Sequence, residues 1–134
     1  IYTLSLHDAL PISGLLTLSL FSIIESIIAH KPRLTETLDS ITHQIKNKLN
    51  LLSKRFDHSV KHEEYFGEIA YPNLWSKLYS IRSDIAHGQK YEFEGQYKIL
   101  ISLEKINTYL DIVVKELIKL SIEDSQLIAD LREC

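Results

Sequence analysis

Tyr97–Leu120 reads YKILISLEKINTYLDIVVKELIKL, and the spacing of its apolar residues decides the fold class. Ile99, Leu103, Ile106, Leu110, Val113, Leu117 and Leu120 recur in steps of four and three. That near-heptad rhythm belongs to a helix that buries one long seam. Leu100, Ile101, Tyr109, Ile112, Val114 and Ile118 widen the apolar surface. The spacing therefore predicts a helix over residues 97–120, able to pack on its own bundle and on a second chain.

The same rhythm recurs upstream. Leu74, Leu78, Ile81 and Ile85 form a stripe in a segment that opens at Pro72, a residue suited to a first helical turn. The segment closes at His87-Gly88, where glycine suits the left-handed residue after a helix. A helix is predicted over 72–87, with Lys90–Gln96 as the connector to the next. Ile41, Ile45, Leu49, Leu52 and Phe56 predict a helix over 39–56, capped by Asp39 or Ser40. Leu16, Leu20, Ile23, Ile24, Ile27 and Ile28 predict a first helix over 15–30. It is apolar almost all round and should be central, and Lys31-Pro32 ends it. Residues 57–71 are polar, contain Gly67, and read as a loop with a short helical turn. Residues 121–132 suit a short terminal helix capped by Ser121. No strand signal and no internal repeat stand out, so the fold class is all-α.

Ile1–Ser13, IYTLSLHDALPIS, resembles the translation of a common short-read sequencing adapter, and is set aside from fold reasoning together with its His7-Asp8 pair. Residues 14–134 then read as a single helical domain, expected to be the C-terminal part of a longer protein. An apolar content of 45% suffices for a core. A net charge of −3 argues against a broadly basic nucleic-acid coat. Charge is uneven, however. Lys31–Lys61 carries seven basic against three acidic residues, and Glu104–Cys134 carries four against seven. A local basic face and an ordinary solvated helix face both fit that bias. One cysteine, Cys134, builds neither a disulfide framework nor a thiolate metal site, and fits a reducing cytoplasm. Leu15–Ala29 is apolar but too short, and too interrupted by Glu25 and serines, to span a bilayer.

Two residues carry chemistry. On an ideal helix Arg82 falls about 40 degrees from Leu78, inside the apolar face. A cation there needs a partner. Either a carboxylate such as Glu25 pairs with it, or its head snorkels to the surface, or it is a pre-organised phosphate clamp. His87 stands at the helix end. An imidazolium is favoured there by the helix dipole, and an imidazole can also serve as general acid or base. His58 and His62 have the i, i+4 spacing of metal ligands, but no third ligand is evident, and a pair of solvated histidines is the better reading.

The string Leu78-Tyr79-Ser80-Ile81-Arg82-Ser83-Asp84-Ile85-Ala86-His87-Gly88 resembles the late-helix motif of HEPN domains, especially the Apea-like group. Phe21–Ile28, with Glu25, resembles that group's early helix, and Asp39–Lys46 its second. The resemblance spans roughly Leu15–Leu120 and is most specific over Arg82–Gly88. It implies a four- to five-helix bundle that forms a homodimer with two Arg–x4–His motifs facing each other. It further implies either a metal-independent endoribonuclease of defence, stress or toxin–antitoxin systems, or a non-catalytic RNA-binding or dimerisation module. Carried over by position, Arg82 holds the scissile phosphate and His87 moves the proton. Ser83 and Asp84 are the supporting residues: Ser83 stands where members often carry Asn or Asp, and Asp84 is placed to orient His87. No cofactor and no metal is implied; RNA, a second copy, an antitoxin and an upstream effector domain are the implied partners. Arg82 and His87 lie about 140 degrees apart on an ideal helix. Either the helix distorts near His87, or the site joins Arg82 of one chain with His87 of another.

Overall fold

The computed structural model describes residues 6–31 and 40–134, with side chains of the first helix described from Ile12 onward. Among the described residues there are six helices and no strand: α1 (Leu6–Ile28), α2 (Ile41–Ser53), the single turn α3 (Glu63–Phe66), α4 (Tyr71–Ala86), α5 (Leu103–Glu123) and α6 (Ser125–Glu133). The protein is an all-α bundle.

α1 is its hub, packing against α2, α4 and α6 and most extensively against α5. Leu20, Phe21, Ile24 and Ile28 supply its buried face. Its all-round apolar character is only partly used, because Leu15, Leu16 and Ile23 stay exposed. α1 starts at Leu6 rather than Leu15 and ends at Ile28 rather than His30. Pro32 and Asp39 lie outside the described residues. A side chain at Gly14 would put its Cβ 3.1 Å from Ile85 Cγ2, so glycine is what lets α1 approach α4 here. Next to it, the Ser13 carbonyl accepts from Thr17 Oγ1 and Asn107 Nδ2.

Ser40 caps α2 by accepting from the His43 N–H at 3.2 Å, satisfying one of the helix's orphan donors. α2 stops at Ser53, three residues short of the predicted Phe56. The chain then lies along α5. There the buried Glu116 carboxylate accepts from the His58 backbone N–H at 3.0 Å and from Lys119 Nζ at 2.9 Å. Burial alone would raise this carboxyl's pKa, but those two donors and their charges hold it below the ordinary value.

The predicted helix over 97–120 is broken. Lys98–Leu100 form a 3-10 turn, and Ile101 sits at φ 71, ψ −64. The Ser102 N–H reaches the Leu100 carbonyl at 2.8 Å, closing a γ-turn of the rare positive-φ kind. Ser102 then caps α5 by accepting from the Lys105 N–H at 3.1 Å. From Leu103 on, the predicted seam holds: Leu103, Ile106, Leu110, Val113, Leu117 and Leu120 are all buried. At the far end Ser121 lies inside α5, and Asp124, accepting from the Leu127 N–H, caps α6 in its place. α6 docks back on α1, with Arg132 Nε donating to the Ala29 carbonyl at 3.4 Å. No described helix is long and apolar enough to cross a membrane.

Candidate active site on the fourth helix

Leu74, Trp75, Leu78, Tyr79 and Ile81 pin α4 into the core, so the orientation of every polar residue along it is set by packing. Its end is equally well defined. The Gln89 N–H bonds the Asp84 carbonyl at 2.8 Å and the Gly88 N–H bonds the Ile85 carbonyl at 3.2 Å, with Gly88 at φ 67. This is a Schellman closure, with His87 as the C-cap residue and Gly88 the left-handed residue after it.

Arg82 faces α1. Its Nε lies 3.6 Å from Glu25 Oε1, beyond hydrogen-bond length, and Arg82 Nε is buried without a hydrogen-bond partner. The Tyr79 hydroxyl donates to the same Glu25 oxygen at 3.0 Å, and the Phe21 ring packs edge-on against Tyr79 at 4.9 Å. Burial, then the Glu25 charge, pushes the Tyr79 hydroxyl well above its ordinary pKa, so it stays a donor. The Arg82 side chain as a whole is 32% exposed, although its Nε is sealed from solvent.

His87 faces away from that pair. Its Nδ1 lies 2.8 Å from the Ser83 carbonyl and 3.3 Å from Ser83 Oγ. A carbonyl only accepts, so the ring tautomer that satisfies it carries the proton on Nδ1 and leaves Nε2 as a free acceptor in solvent. Ser83, through its backbone, is therefore the group that orients His87. Asp84 does not do so: its Oδ2 accepts from the Tyr97 hydroxyl at 2.7 Å, and Ser80 Oγ lies 2.7 Å from that same hydroxyl. Burial and the Asp84 charge raise the pKa of Tyr97, and the hydroxyl remains the donor. Tyr97 thus borders the candidate site, and sequence reasoning did not single it out. It read as the first residue of a helix, and no local signal says that its ring crosses to α4.

Within one chain the structure brings Arg82 to Glu25 and His87 to Ser83; it does not join Arg82 to His87. The expected histidine pair also separates. The His58 side chain is 81% exposed beside Glu116, whereas His62 is buried, with Nε2 donating to the Ile69 carbonyl at 2.7 Å and its ring against Tyr71. The reading of both as solvated fails at His62, which is buried and spends its Nε2 on the Ile69 carbonyl. Among the described residues no three His, Cys, Asp or Glu side chains are grouped to hold a metal ion.

No protein-family model, no curated protein and no solved structure matches this chain.

Proposed function

We propose that this domain is a metal-independent endoribonuclease of the HEPN type that acts as a homodimer. The observation that carries this reading is His87: exposed at a helix end, fixed by the Ser83 carbonyl, with Nε2 open to a substrate hydroxyl. Such a group can take the proton of a 2′-hydroxyl or return one to the leaving oxygen. Arg82, its side chain 32% exposed, supplies positive charge for the phosphate. Because the two residues have different partners within one chain, the reaction centre combines Arg82 of one protomer with His87 of the other. Exposed Leu15, Leu16, Ile23, Ile118 and Ile122 leave apolar surface for a second copy. The cellular setting that suits such an activity is cytoplasmic, in defence, stress or toxin–antitoxin systems.

The test is cleavage of single-stranded RNA with EDTA present. His87→Ala and Arg82→Ala should each abolish it, and mixing the two variant chains should restore part of it, since a mixed dimer keeps one intact Arg82–His87 pair. If both folded variants cut as well as the parent, the assignment fails.

A second reading is favoured by the Arg82–Glu25–Tyr79 cluster: a non-catalytic HEPN module for RNA binding or dimerisation, appended to an upstream domain. Arg82 is then a structural cation and His87 a helix cap. It predicts no cleavage, and a loss of dimer or thermal stability in Arg82→Ala read by size-exclusion chromatography and melting.

A further inference from the structure

An open depression of about 720 Å³ lies between the α3 turn and the γ-turn that leads into α5, on the side of α4 away from Glu25. Tyr65, Phe66, Ile99 and Ile101 line it together with Lys77 and Lys98, and no carboxylate is in the lining. Lys105 adds a third cation, its Nζ 5.7 Å from the centre of the Tyr65 ring. The volume falls in the range of ordinary ligand sites.

The backbone beside it is strained. Ile101 is β-branched yet holds a positive φ, and its side chain stands out at the groove, 54% exposed. Strained conformations of this kind cluster at ligand clamps.

The groove and the candidate active site both border α4, through Lys77 and His87. Lys77, Ser80, Asp84 and His87 fall within roughly 80 degrees of one another on an ideal helix, and ten residues of rise place Lys77 about 15 Å from His87. The Lys77 ammonium donates to the Gln96 carbonyl at 2.8 Å, and Tyr97 takes Asp84, so the 88–97 connector is moored along this same face. The Asp84 carboxylate that would repel an anion is thereby drawn toward Tyr97.

We propose that this groove anchors single-stranded RNA, which passes from there over the 88–97 connector to His87. The half-buried Tyr65 ring and the exposed Ile101 suit unstacked bases, and Lys77 and Lys98 suit the phosphates between them, the combination that single-strand binders use. The inference rests on the ribonuclease reading for its direction of travel, but the groove binds whether or not His87 cleaves.

The experiment is fluorescence anisotropy with a short fluorescein-labelled oligouridylate across a salt series, in the full chain carrying His87→Ala so that the probe survives. Lys77→Gln/Lys98→Gln/Lys105→Gln together should weaken binding about tenfold or more and flatten the log–log salt slope by about 2, at ~0.7 for each phosphate no longer neutralised. Tyr65→Leu should weaken binding with the slope unchanged. Lys46→Gln/Lys54→Gln on and just after α2 should alter neither, whereas a loss equal to that of the triple variant would make the effect one of general charge and overturn the proposal. Unchanged affinity and slope in the triple variant would also overturn it. So would a parent chain that ignores the oligonucleotide and instead binds polyglutamate through these lysines. Cleavage by the parent with an indifferent triple variant removes only the groove; lysine-dependent binding without cleavage removes only the catalytic reading.

Discussion

The inner side of α4 holds Arg82 within 3.6 Å of Glu25, under cover of Tyr79 and Phe21; the outer side holds Ser83 and His87 in solvent. The inner cation could not be left alone. A guanidinium whose Nε is sealed from water needs a neighbouring negative charge, and α1 provides one across the helix interface. The outer imidazole faces no such demand, because water solvates it; its single backbone contact orients it without neutralising it. Arg82 is therefore constrained by stability whatever else it does, while His87 carries no such constraint. Four measurements test that division.

The largest effect is expected at His87. Replacing it with Ala should lower RNA cleavage by about 10²–10⁴-fold, the usual worth of a positioned acid or base, while the melting temperature barely moves. A large fall in melting temperature would make His87 a structural cap and erase the contrast between the two sides.

Glu25→Ala comes next. It leaves Arg82 without its counter-charge and the Tyr79 hydroxyl without its acceptor, and should destabilise the fold by about 1–2 kcal/mol, between the values for exposed and fully buried pairs. Denaturant unfolding measures this, and a double cycle with Arg82→Ala should show the two losses overlapping rather than adding. Additive losses would mean that the pair does not interact.

Tyr97→Phe removes the hydroxyl that both Asp84 and Ser80 meet. A cost of about 1 kcal/mol is expected for the missing hydrogen bond. Cleavage should decline modestly, as the connector loosens along the outer face. If cleavage falls as far as in His87→Ala with stability intact, the outer side depends on Asp84 far more than its separate bonding to Tyr97 implies.

The smallest effect at neutral pH concerns Tyr71, at the inner start of α4. Burial pushes its hydroxyl from 10.0 up to about 12. A raised folded value means that this contribution to stability is complete below pH 10 and is lost as pH climbs toward 12, because the unfolded chain ionises first. Melting curves in alkaline buffer should show a decline that Tyr71→Phe makes shallower. An equal decline in both chains would assign the loss to other tyrosines.

Much of this was legible in the order of residues, for local reasons. Leu103 to Leu120 announce a buried seam because side chains three and four residues apart share a helix face. Gly88 announces the end of α4 because a left-handed residue there is easiest for glycine. Arg82, embedded in an apolar stripe, announces that it needs a partner, and Glu25, one of the partners the sequence offers, stands beside it. The errors are instructive as well. Ser102 followed by Glu104 is a helix-start signal, yet the apolar run Ile99–Ile101 masked it by continuing the heptad rhythm. Asp124 displaced Ser121 as the cap of α6 because α5 runs one turn further than its seam requires.

Periodicity and cap chemistry were enough to settle an all-helical bundle, since these depend on residues within a few turns of each other, whereas the end of its fourth helix was singled out by the resemblance around Arg82–Gly88. Tertiary structure alone decided that Tyr97 would take Asp84, that His62 would be enclosed, that Ile101 would turn the chain at a positive φ, and that Arg82 and His87 would part company. Each of these joins segments that local periodicity does not relate, or reflects a strain that only surrounding packing can hold, and neither leaves a mark in the local order of residues.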